Sequence, residues 1–123
     1  MLINLSNHPY KNWDEKQKLE AERLFFSVVD IEFPKIFPEA ELSDVIELAS
    51  TYLKKINEIL KAHNGKKIAV HLMGEFTFTY NLIELLRVNS ITVIASTTVR
   101  EIFEDENGKK ISKFTFVRFR NYF

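Results

Sequence analysis

The sequence predicts an α/β fold: one domain over residues 1–123, whose mainly parallel, Rossmann-like or flavodoxin-like sheet ends in a C-terminal β-hairpin. Three observations predict it. Short apolar runs of strand length alternate with segments whose apolar residues recur every three or four positions. Ile68-Ala69-Val70-His71-Leu72-Met73 is a nearly continuous apolar run of the kind that fills a central parallel strand. Near the C-terminus, Asn107-Gly108 separates two strand-like stretches, and both residue types tolerate the positive φ of a tight hairpin.

Residues 1–5 read as the first strand. Asn12, with Glu15 three residues on, is expected to cap a helix over residues 13–24. Its thin apolar stripe (Trp13, Leu19, Leu24) predicts a largely exposed helix. Residues 25–33 carry Val28, Val29 and Ile31 and read as the second strand, followed by a loop bracketed by Pro34 and Pro38. Ser43 or Asp44 is expected to open the second helix. Val45, Ile46, Ala49, Tyr52, Leu53, Ile56, Ile59 and Leu60 give it the clearest helical periodicity in the chain, and Asn64-Gly65 closes it. Residues 67–73 form the third strand, adjacent to the first, residues 77–88 the third helix and residues 91–95 the fourth strand. Residues 99–103 and 111–119 are the arms of the hairpin, with acids before the turn facing lysines after it. The hairpin extends the sheet at an edge or reaches a second subunit.

Composition narrows the function classes. Seventeen basic and seventeen acidic side chains cancel, so no overall field recruits duplex nucleic acid or an anionic membrane. With no cysteine there is no thiol nucleophile, disulfide or thiolate metal site. No apolar run approaches the roughly 20 residues of a membrane span and the start lacks a signal-peptide pattern, so a cytoplasmic protein is expected. Eleven phenylalanines predict an aromatic core, with Phe116, Phe119 or Phe123 the alternative candidates for a dimer interface.

Ligands of open α/β sheets bind beyond the carboxyl ends of parallel strands, which directs attention to three loops. After the first strand come Ser6, Asn7 and His8, the histidine a candidate general acid or base, or a phosphate ligand. After the third come Gly74, Glu75 and Thr77. The glycine would admit a ligand to the backbone, the helix start with the Thr77 hydroxyl would hold an anion, and Glu75 would orient a ribose hydroxyl, act as a base or simply stabilise the helix dipole. After the fourth come Ser96, Thr97, Thr98 and Arg100, hydroxyls and a guanidinium suited to phosphate. His71, inside a strand, reads as a core histidine, and His63, at a helix end, as a dipole partner. Arg118 and Arg120 share one face of the last strand and read as solvated. No histidine pair has metal-ligand spacing, and no metal or cofactor is expected.

The segments LINLSNHP (2–9), AVHLMGEFTFTYNLIELL (69–86), ASTTVRE (95–101) and FVRFRNY (116–122) resemble the small stand-alone, CARF-like ring nucleases found with type III CRISPR systems. The resemblance implies a Rossmann-like homodimer that binds a cyclic oligoadenylate, cyclic tetra-adenylate above all, across its two-fold axis. It also implies metal-independent cleavage, in which a ribose 2′-hydroxyl attacks the adjacent phosphorus and switches off antiviral signalling. The loops that match are Ser6 to Pro9, Gly74 to Thr77 and Ser96 to Arg100, with His8 and Glu75 as the catalytic candidates. Two alternatives stay open: a module that senses or sequesters the nucleotide without cutting it, and a small α/β enzyme acting on a mononucleotide or sugar phosphate.

Overall fold

In the computed structural model, which describes residues 1–123, the sheet has five strands in the order β2-β1-β3-β4-β5. They are β1 (Leu2–Ser6), β2 (Val28–Asp30), β3 (Ala69–Met73), β4 (Thr92–Glu104) and β5 (Lys110–Asn121). β1 to β4 run parallel, and β5 returns antiparallel along β4. The expected neighbours β1 and β3 pair in register from Leu2 opposite Ala69 to Ser6 opposite Met73. Helix α1 (Glu15–Phe25) covers one face, and α2 (Leu42–Ala62) and α3 (Phe76–Val88) cover the other. No helix is long and apolar enough to cross a membrane.

Side chains alternate across a strand, so each strand feeds two cores. Ile3, Leu5, Val70, Leu72 and Val93 meet Val45, Ala49, Tyr52 and Ile56 of α2 and Phe78, Leu82 and Leu86 of α3. On the opposite face, Leu2, Ala69 and Ile94 meet Trp13, Ala21 and Phe25, together with Phe116 and Phe119. Those two phenylalanines are buried inside the protomer, which removes them as interface candidates; Phe123 stays about half exposed.

Several boundaries differ from expectation for local reasons. A 3-10 turn at Tyr10–Asn12 delays α1, and Asp14, not Asn12, caps it by accepting from the Gln17 amide at 2.8 Å. Phe25 belongs to α1, and Phe26 reverses the chain at φ 71°, which shortens β2 to three residues. Beyond it, Ile31, Phe33 and Ile36 leave the sheet to pack on the α2–α3 core. α2 is capped by Glu41, not Ser43 or Asp44; Asp44 takes the reciprocal part, accepting from the Glu41 amide at 3.0 Å. β4 is one continuous strand with a bulge at Thr97/Thr98, so the expected gap between sheet and hairpin is absent. The far part of β4 and β5 is a two-stranded ribbon with exposed Val99, Ile102, Phe103, Ile111 and Phe114.

Candidate functional site

Along β1, Leu2, Asn4 and Ser6 share the face that looks toward α1, and β3 and β4 place His71 and Ser96 on that same face. Polar side chains in strands buried on both sides must find partners or lose about 1–3 kcal/mol each. They find one another. The Asn4 side-chain nitrogen donates to Asp30 Oδ1 at 2.8 Å and to the His8 carbonyl at 2.9 Å. Asn4 Oδ1 accepts from Ser6 Oγ at 2.8 Å and lies 2.9 Å from His71 Nδ1. Because that oxygen only accepts, Nδ1 carries the proton and His71 Nε2 is left as an acceptor. Ser96 Oγ stands 2.7 Å from Nε2 and donates to it, while accepting from the Gln17 amide nitrogen at 3.0 Å. The result is a continuous chain: Asp30, Asn4, His71, Ser96.

His71 and Ser96, at one end of this chain, form the floor of a cavity of about 690 Å³ at the carboxyl ends of β1 and β3, beside the middle of β4. Ser6, Asn7, His8, Gly74 and Thr98 line it, with Trp13 from the turn before α1, Gln17 from α1, and Lys113 and Phe114 from β5. The backbone of the His8 loop is pinned, because its carbonyl also accepts from Trp13 Nε1 at 2.9 Å, and His8 lines the cavity. Trp13 stands edge-on to His71, 5.2 Å between ring centres, and shields it. Burial, with the charge of a protonated His8 adding to it, pushes the His71 pKa down from 6.5 to about 4. His71 is therefore neutral at physiological pH. A second cavity of about 520 Å³ lies on the other side of the β1 loop, between Asn7 and Pro9 and the acids Asp30 and Glu32.

Six of the sequence-predicted residues come together at the larger cavity: Ser6, Asn7, His8, Gly74, Ser96 and Thr98. Glu75, Thr77, Thr97 and Arg100, the other candidates of the three loops, do not line it. Glu75 is the N-cap of α3. Its carboxylate accepts from the Thr77 hydroxyl and from the Thr77 and Phe78 amides, so the anion site at this helix start is filled by the chain's own side chain. Partial burial works to raise the Glu75 pKa, but those hydrogen bonds outweigh it and hold the pKa below the ordinary value. Thr97 Oγ1 bridges the bulge, donating to the Arg118 carbonyl at 3.0 Å and accepting from its amide. Arg100 Nε donates to Ser112 Oγ at 2.6 Å on the exposed ribbon. Gly74 is glycine for a steric reason, since an added Cβ would stand 2.2 Å from the Phe33 ring.

In the sequence His71 reads as core, Trp13 reads only as part of an apolar stripe, and Asn4, Asp30, Gln17 and Lys113 carry no mark of a site. One signal was available. Asn4 and Ser6 recur at period two in an otherwise apolar strand, as does His71 in β3, which marks a buried polar face. No group of three histidine, aspartate or glutamate side chains is placed to hold a metal ion.

No curated protein and no solved structure matches the chain. A family model does match, over residues 1–120, nearly the whole length. The chain belongs to the uncharacterized protein MJ1673 family.

Proposed function

We propose that this chain is a ring nuclease: it binds a cyclic oligoadenylate, with cyclic tetra-adenylate the favoured ring, and cleaves it to switch off type III CRISPR signalling. The observation that carries the reading is the cavity at the carboxyl ends of β1 and β3, beside the middle of β4, where His8 lines the same space as His71 and Ser96. The sequence resemblance over the same loops supplies the ligand class. The strand order also fits, because it follows the flavodoxin-like 2-1-3-4-5 arrangement with the last strand reversed, a Rossmann-like fold whose ligands sit at the β1/β3 switch point.

The chemistry asks for donors and proton carriers around a phosphodiester. In-line attack by a ribose 2′-hydroxyl needs the nucleophile, phosphorus and leaving oxygen held in line, with hydrogen bonds to the nonbridging oxygens. Asn7, Thr98 and Lys113 stand around the cavity to donate them. His8, as imidazolium, protonates the leaving 5′-oxygen. No metal takes part in these steps.

One protomer offers about 690 Å³, within the range of sites for drug-sized ligands, and a four-nucleotide ring is larger than such ligands. Two copies around a two-fold axis supply matching halves. The exposed apolar residues of the β4–β5 ribbon give a homodimer surface to bury. The protein works in the cytoplasm, where such a messenger is made.

Incubating pure protein with cyclic tri-, tetra- and hexa-adenylate, followed by chromatography, tests the proposal. Cyclic tetra-adenylate should open to linear products. Tight binding with the ring left intact would assign a sequestering module instead, and indifference to all three rings would point to a mononucleotide or sugar-phosphate enzyme.

A further inference from the structure

Resting on the ring-nuclease reading, we propose that Ser96 is a catalytic residue that accepts the proton of the attacking 2′-hydroxyl and passes its own to His71. His71 acts through Ser96 as the positioning and proton-storing residue.

The hydrogen-bonded chain has a fixed polarity. Asn4 Nδ2 is committed to two acceptors, Asp30 Oδ1 and the His8 carbonyl, which fixes the amide so that Oδ1 faces His71. An acceptor at 2.9 Å from Nδ1 fixes the proton there, so Nε2 must accept, and its one neighbour within hydrogen-bond distance is Ser96 Oγ at 2.7 Å. Ser96 therefore spends its only hydrogen on His71. One of its lone pairs takes the Gln17 amide at 3.0 Å, which leaves the second lone pair open. Ser96 lines the cavity, and so an incoming hydroxyl can donate to it. The arrangement has the logic of a nucleophile–base–orienter triad, with asparagine as orienter. Here the serine relays a proton and does not attack.

The step balances. The 2′-O–H proton moves to Ser96 Oγ as the Ser96 proton moves to His71 Nε2. The 2′-oxygen bonds to phosphorus, and the phosphorus–5′-oxygen bond breaks with its electron pair going to the 5′-oxygen. That oxygen takes the His8 proton, giving a 2′,3′-cyclic phosphate and a 5′-hydroxyl. His71 then returns its proton to solvent through Ser96, and His8 is reprotonated from solvent. Neutral His71 is ready to accept at physiological pH, and Asn4, backed by the Asp30 carboxylate, steadies it as it charges.

Two measurements on the intact protein test the proposal. Nitrogen-15 NMR of the imidazoles of the wild-type chain should show His71 with Nδ1 protonated and Nε2 bare. The opposite tautomer would overturn the relay whatever the ligand, because Nε2–H could only donate to Ser96. In single-turnover cleavage of cyclic tetra-adenylate, Ser96→Ala should fall by about 10²-fold or more. Its affinity for the ring should change by no more than about tenfold, the effect of one neutral hydrogen bond. Ser96→Thr, which keeps a hydroxyl on a β-strand, should recover most of the rate. Cleavage by folded Ser96→Ala at the wild-type rate would sink this inference and leave the ring-nuclease reading standing. Failure of the wild type to open the ring would overturn both.

Discussion

At the scale of single residues, Asn4 is the side chain on which the site depends. It makes two donations and accepts twice, and no other residue type of its size meets all four partners. Asn4→Asp would set a carboxylate against Asp30 and leave the His8 carbonyl without this donor. Losing one buried partner costs about 1–3 kcal/mol, more where a charge is involved, so thermal unfolding of Asn4→Asp should show a loss at or above that range. His71 supplies a second expectation. Its pKa is about 4 in the folded chain against 6.5 unfolded, so only the unfolded state takes up this proton as pH falls from 6.5 to 4. Stability should be highest above pH 6.5, fall through that window and lose nothing further from this residue below pH 4. The full difference is about 3 kcal/mol at 1.36 kcal/mol per unit. Urea unfolding at pH 7 and pH 4.5 should show the fall in wild type and a shallower one in a folded His71→Gln variant. His8 faces the cavity, so His8→Ala should slow cleavage by 10²–10⁴-fold and change ring affinity far less.

Elements show what periodicity carries and what it does not. The apolar spacing of α2 and the continuous run of β3 were legible because their burial is set by local pattern, and both elements stand where that pattern puts them. Residues 25–33 misled because Val28, Val29, Ile31 and Phe33 are as apolar as a strand. Yet Phe26 turns the chain, and Ile31 and Phe33 are drawn off by the α2–α3 core, a tertiary effect with no local signature. The same limit governed the site. Ser6, Asn7 and His8 were legible as cavity residues because the end of β1 is visible in sequence, whereas Ser96 and Thr98 were singled out by an expected strand end that β4 does not have. The relay was not legible, because pairing Asn4 with His71 needs the β1–β3 register. Glu75 was legible as a residue of interest but not as a cap, since either role suits an acid before a helix. In the structure its carboxylate caps the first turn of α3. Glu75→Ala should therefore cost about 1 kcal/mol in thermal unfolding, as cap losses do, and leave the cleavage rate unchanged. A fall in rate with stability intact would return Glu75 to the catalytic group.

At the scale of the whole molecule, the sheet has two covered faces and one open end, and the proposed ligand would meet the protein there. α1 closes one face and α2 with α3 the other, so the carboxyl ends of β1 and β3, beside the middle of β4, are the open side of the layered structure. The ribbon beyond residue 98 extends about 20 Å past the sheet, and a two-stranded hairpin of that length is marginal alone, the physical reason to expect a second copy against it. Sedimentation at micromolar concentration should give twice the 14.5 kDa chain mass, and titration should bind one ring per two chains. Phe103→Lys with Ile111→Glu, both on the outer part of the ribbon, should shift the chain toward monomer and weaken ring binding. The central claim is that the cavity under His8 performs in-line transesterification on a cyclic oligoadenylate. Mass spectrometry of the products of cyclic tetra-adenylate, incubated with stoichiometric protein in excess EDTA, tests it most directly. The account predicts linear products ending in a 5′-hydroxyl and a 2′,3′-cyclic phosphate. An intact ring, or products carrying a 5′-phosphate, would contradict it.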